Sequence, residues 1–133
     1  MKNFKCRVSS VQNRAVKMFG SKYMFDNNEE TCWSSDQGCP QWVELQSENG
    51  EKRISSFSIQ FQGGFAGKDC VLEVKSSDSS DIISEPFYPE DVNTLQHFTL
   101  KTPKKGETFI FRFISSTDFF GRVVIYKLDV NED

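Results

Sequence analysis

Along most of the chain, apolar and polar residues alternate at a period of two, in runs of four to eight residues set apart by turn formers. In "FSIQFQ", Phe57, Ile59 and Phe61 alternate with Ser58, Gln60 and Gln62, which turns one row of side chains to a core and the other to water. "VLEVK" repeats the pattern with Leu72 and Val74, and "FIFRF" with Phe109, Phe111 and Phe113. In "VVIYKLDV", strict alternation sets Val124, Tyr126, Leu128 and Val130 on one side and Val123, Ile125, Lys127 and Asp129 on the other. Both faces of that last strand are therefore expected to be largely covered. Only "QNRAVKMFG", Gln12 to Gly20, has helical character, and its shortness predicts one or two turns at most. "SENGEK" (Ser47 to Lys52), "KSSDSSD" (Lys75 to Asp81) and "TPKKGE" (Thr102 to Glu107) read as loops or turns. Short strands rich in Val, Ile and Phe, with no long helix, predict an all-β protein in which two antiparallel sheets share one core.

Length and composition narrow this further. A chain of 133 residues suits one domain, spanning 1–133, rather than two. Thirteen phenylalanines demand an aromatic-rich core. A net charge of -3 lacks the basic footprint that phosphate-backbone binding requires, so no direct nucleic-acid contact is expected. No apolar run is long enough to cross a membrane, and "MKNFKCRVSS" lacks the apolar stretch of a secretory signal. Cys6, Cys32, Cys39 and Cys70 form no C-x-x-C pair, and they read as reduced thiols of the cytosol or nucleus.

The stretch "FDNNEETCWSSDQGCPQWVEL", Phe25 to Leu45, resembles the D-G-N-x-x-T-x-W element and following Q-W-[IV]-x-[LV] of discoidin-like domains, the coagulation factor C-type group with the galactose-binding jelly-roll fold. Together with "RVSSVQNR", "IQFQGGF", "FYPED" and "TDFFGRVVIYKL", it is similar to the nuclear receptor 2C2-associated (testicular orphan receptor-associated) family from Arg7 to about Val130. The resemblance implies a jelly-roll β-sandwich and an intracellular, non-enzymatic adaptor of nucleus and cytoplasm. It further implies a monomer that binds an orphan nuclear receptor and represses its transcriptional activity. The chain has no L-x-x-L-L box, so a folded surface has to make such a contact. Cys6 has no cysteine partner near the C-terminus, so the terminal disulfide of extracellular discoidin domains is not expected. The alternative of another class is a carbohydrate- or glycan-binding module that uses the loops at one end of the sandwich. A third is a subunit of a larger assembly, joined through a sheet edge.

Candidate sites follow from these elements. Asp26, Asn28 and Thr31 offer hard oxygen ligands on a short loop, and the resemblance to calcium-bearing jelly rolls adds the Tyr23 carbonyl and a closing glutamate on the last strand. Lys127 occupies that closing position. An ammonium there would donate to the same oxygens, so no metal or other cofactor is expected and the loop reads as a structural corner. Trp33 and Trp42 are expected in the core. Zinc needs four N or S ligands, and His97 is the one histidine beside Cys32 and Cys39. His97 is expected on the solvent side of a strand, and Glu29, Glu30 and Asp36 on a solvated face; no G-x-S-x-G element occurs, and no enzyme is expected. Gly63 and Gly64 present Phe65 at a strand end, and "TDFFGRV" carries Asp118, Phe119, Phe120, Gly121 and Arg122. Aromatic and arginine side chains at loop tips are the substance of protein-binding hot spots. Phe65, Asp118, Phe119, Phe120 and Arg122, with Ser34, Asp36 and Gln37, form the expected protein-binding set.

Overall fold

The structure, a computed structural model, describes residues 3–77 and 80–133. Its strands are β1 (Phe4–Val8), β2 (Trp33–Ser34), β3 (Gln41–Ser47), β4 (Lys52–Phe61), β5 (Gly67–Lys75), β6 (Ile82–Phe87), β7 (Gln96–Gly106), β8 (Thr108–Ser116) and β9 (Val124–Glu132). One sheet has the order β1-β3-β8-β5-β6 and the other β2-β9-β4-β7, every pairing antiparallel. The expected two-sheet jelly-roll sandwich is the fold observed.

The alternation read from the sequence builds the core directly. Phe57, Ile59 and Phe61 of β4, Leu72 and Val74 of β5, and Phe109, Phe111 and Phe113 of β8 are all buried between the sheets. Phe57 sits in an aromatic knot, its ring centroid 4.9 Å from Phe87, 5.1 Å from Phe98 and 5.0 Å from Phe111. The pairs with Phe87 and Phe111 are edge to face and the pair with Phe98 is stacked, and such pairs add to the burial term. Trp33 is wholly buried, and its indole N–H donates to the Ser10 carbonyl at 2.9 Å, which ties the two-residue strand β2 to the first loop.

Four expectations need correction. The "TPKKGE" segment is strand as far as Gly106: Ile54, Arg53 and Lys52 of β4 pair with Lys104, Lys105 and Gly106. Pro103 is tolerated because β7 is an edge strand. Strict alternation fails in β9, where a register shift between Gln60 and Phe61 of β4 brings both Ile125 and Leu128 into the core. Tyr126 and Lys127 then lie half-buried outside it. The helical segment is three short turns, Gln12–Arg14, Val16–Phe19 and Ser21–Met24, and the unexpected third turn supplies the buried Met24. Trp42 is half-buried rather than in the core. Its neighbours Gln41 and Val43 both point inward, so the period of two turns Trp42 out, under the Arg7 guanidinium at 5.9 Å. The predicted loop Lys75 to Asp81 falls partly outside the described residues, at 78 and 79.

The open side of the sandwich, between β6 and β7, is closed by a buried ion pair. Lys104 Nζ lies 3.2 Å from Glu85 Oε1, with both side chains about nine-tenths buried, and Glu85 also accepts from the Lys101 amide at 3.1 Å.

Candidate functional site at one end of the sandwich

Four turns converge where β2, β4, β8 and β9 end. Gln62 N–H donates to the Val124 carbonyl and Val124 N–H to the Phe65 carbonyl, joining the β4–β5 turn to the start of β9. Ser35 N–H donates to Val123 and Gly38 N–H to Phe120, joining the third turn to the fourth. The first loop closes the set: Asp36 N–H donates to Ser10 Oγ at 3.0 Å, and Asp36 Oδ1 accepts from Asn13 N–H at 3.0 Å.

The tightest part is the turn Asp118–Arg122. Asp118 holds it from within, its carbonyl accepting from Gly121 N–H and its Oδ2 from Arg122 N–H, both at 3.0 Å. Gly121 has φ +86, and a Cβ there would stand 2.8 Å from the Gly38 backbone. Only glycine supplies both that conformation and that close approach. The clamped turn presents Phe119 and Phe120 to solvent, 94% and 60% exposed, stacked edge to face at 5.2 Å. Two adjacent phenylalanines held open on a braced turn cannot be explained by core packing.

Phe65 is placed differently. Gly63 N–H and Gly64 N–H donate to Asn93 Oδ1 and Asp91 Oδ1, each at 2.7 Å, so the β6–β7 connection clasps the glycine pair. Phe65 is half-buried and forms a wall of a cavity of about 270 Å³, whose other lining includes Arg122, Gln12, Ser34, Gln62 and Phe19. Of the residues expected to bind, Phe65, Arg122 and Ser34 thus meet in one cavity, with Phe119 and Phe120 on the adjoining turn. Ser34 is 2% exposed and donates to Gln12 Oε1 at 2.8 Å, and Asp36 is a brace between loops; Gln37 is exposed. Gln12 and Gln62 were not legible as site residues. Gln12 comes from the distant first loop, and Gln62 reads as the polar end of an alternating strand.

The corner at Asp26 is self-contained. Thr31 Oγ1 donates to Asp26 Oδ2 at 2.6 Å, Asn28 N–H donates to Asp26 Oδ1 at 3.1 Å, and Glu30 N–H donates to Asn28 Oδ1 at 3.0 Å. The Thr31 hydroxyl above all, helped by the Asn28 amide and the Lys22 ammonium, holds the Asp26 carboxyl below its usual range against the opposing effect of desolvation. Tyr23 donates its hydroxyl to the Lys17 carbonyl. The expected lysine replacement of an ion is corrected: Lys127 lines a cleft with Asn27, Asn28 and Glu29, and among the described residues it makes no hydrogen bond or ion pair with Asp26 or Thr31. The loop's own donors reach the carboxylate first. Among the described residues no group of three or more His, Cys, Asp or Glu side chains is placed to hold a metal.

Of the remaining reactive groups, Cys32 also lines the end cavity, and the others lie elsewhere. His97 is exposed, its Nδ1 2.6 Å from the Ser58 hydroxyl. Burial pushes the Cys6 and Cys70 thiols up to about 12, so both stay protonated at neutral pH. The four cysteines are free.

The chain is 52% identical over 124 residues to the nuclear receptor 2C2-associated protein of Danio rerio, covering 93% of this chain and 87% of that protein. It is 48% identical to the Xenopus tropicalis protein of the same name, covering 93% and 90%, and 47% identical to the Homo sapiens one, covering 93% and 88%. No family model matches the chain. Among solved structures, the F5/8 type C domain of a Bacteroides fragilis protein superposes with a TM-score of 0.81 at 11% identity, covering 96% of this chain and 89% of that one. The family 32 carbohydrate-binding module of Clostridium perfringens NanJ, solved with galactose, superposes with a TM-score of 0.79 at 15% identity, covering 96% and 93%. At these identities the structural likeness concerns the fold alone.

Proposed function

The chain belongs to the nuclear receptor 2C2-associated protein family, and from that premise we propose that it is a non-enzymatic adaptor that binds an orphan nuclear receptor and represses receptor-dependent transcription. The observation that carries the reading is the solvent-exposed Phe119–Phe120 pair on a turn locked by Gly121 against Gly38. Large apolar side chains held out on a rigid turn cost little backbone ordering on binding, which favours them as anchors. Arg122 and Phe65 extend the surface inward. The protein acts as a monomer in the nucleus and cytoplasm in this reading, with no metal, no nucleic acid and no membrane as direct partner. A receptor-dependent reporter tests it. Expression of the chain lowers the signal, and a Phe119→Ser, Phe120→Ser variant of equal abundance leaves it unchanged; equal repression by both would overturn the surface assigned.

A second reading, glycan binding at the same end, is supported by the cavity itself, where one aromatic wall adjoins Gln12, Gln62 and Arg122. A glycan array separates the two, since saturable binding of a neutral sugar without receptor capture would favour this reading.

A further inference from the structure

Arg122 lines the end cavity. Its Nη1 is buried and has no hydrogen-bond partner, and among the described residues the guanidinium belongs to no ion pair. Asp118, on the same turn, accepts from the Arg122 amide and not from its guanidinium. A buried charged donor without an acceptor is unfavourable, and a guanidinium carries five donors and no acceptor of its own.

Two glutamine amides line the same cavity. Gln12 Oε1 accepts from Ser34 and Gln62 Oε1 from Tyr126 at 3.4 Å, while neither side-chain NH2 has a partner among the described residues. Arg122, Gln12 and Gln62, with side-chain donors that no protein group among the described residues answers, therefore line one space together with Ser34, Cys32 and the apolar Phe19, Phe65 and Val124. We propose that this cavity takes one carboxylate, the side chain of an aspartate or glutamate that a partner protein carries beside an apolar residue, with the apolar neighbour resting on Phe65 and the Phe119–Phe120 turn.

A planar carboxylate matches a guanidinium fork with two parallel bonds and leaves lone pairs for the amides. One guanidinium and two neutral amides, with no lysine in the lining, balance a single negative charge better than a phosphate dianion. The inference rests on the adaptor reading, since it names the chemistry of that partner's contact.

The test uses the whole chain, 15N-labelled, titrated with the blocked peptide acetyl-Leu-Glu-Leu-amide and its Gln counterpart, while the Arg122 Nε–H and the Gln12 and Gln62 side-chain NH2 signals are followed. The Glu peptide is expected to shift these signals saturably, about ten-fold or more tighter than the Gln peptide. Arg122→Gln abolishes the difference, and Arg122→Lys restores part of it; Gln62→Leu weakens the Glu peptide while leaving the remaining spectrum unchanged, which keeps the test valid if one variant misfolds. Equal affinity for Glu and Gln peptides overturns the proposal, as does saturation of the same signals by galactose or inorganic phosphate but not by the Glu peptide. Receptor capture separates the two levels. If wild type and Arg122→Gln bind receptor alike and the Phe119→Ser, Phe120→Ser variant does not, the adaptor reading stands and the carboxylate site falls. If wild type captures no receptor, the adaptor reading falls while the peptide titration still decides the cavity.

Discussion

The corner at Asp26 and the turn at Arg122 look alike as strings of charged, polar and aromatic residues, yet they differ in what their hydrogen bonds leave over. At the corner, Thr31 and the Asn28 amide satisfy both Asp26 oxygens, and the result is a closed loop. At the turn, Asp118 is consumed in holding the backbone, while Arg122 Nη1 stays unpaired and Phe119 and Phe120 stay uncovered. Composition nominates both places. Residual donor capacity and exposed apolar area select one.

The largest effect that sharpens this contrast is expected from Phe119→Ser, Phe120→Ser. Losing two exposed anchors should weaken receptor binding about 30-fold or more, with a melting temperature unchanged because neither ring packs in the core; biolayer interferometry and calorimetry read the two. Next comes Gly121→Ala. A Cβ 2.8 Å from Gly38 at φ +86 should cost about 2 kcal/mol in a urea titration and weaken receptor binding as the turn shifts. At the corner, Thr31→Val removes one exposed hydrogen bond and should cost no more than about 1 kcal/mol without changing receptor affinity. Calcium in place of a chelator should leave the melting temperature of the wild-type chain where it was; a rise of several degrees would reopen the corner as a cation site.

The smallest effect is a pH dependence. Because the folded state holds the Asp26 carboxyl below its ordinary value of 3.8, its contribution is present above that value and is lost as pH falls through the lower folded one. Wild type and Asp26→Asn should therefore differ slightly at neutral pH and converge in acid, as read by urea midpoints across that range.

How much of this was legible in sequence depends on the range of the interactions. Phe57, Phe111 and Phe113 were visible because alternation is local and the core simply follows it. Tyr126 and Lys127 were misread because a bulge, set by pairing with a strand some sixty positions away in the chain, resets the face of β9. Trp42 was misread for a simpler reason: size suggested the core, while its two inward neighbours excluded it. The exposed phenylalanines and Arg122 could be nominated from the turn chemistry around Gly121. The donor set completing the cavity could not, because Gln12 and Gln62 meet only when the first loop and the β4–β5 turn are folded onto one end.

Amide hydrogen exchange of the chain with and without the proposed orphan nuclear receptor partner tests the assignment of the binding end most directly. Protection is expected to rise at 118–122 and 62–66 and to stay unchanged at 25–31. Protection confined to 25–31, or to the β6–β7 edge with the loop end unaffected, would contradict it.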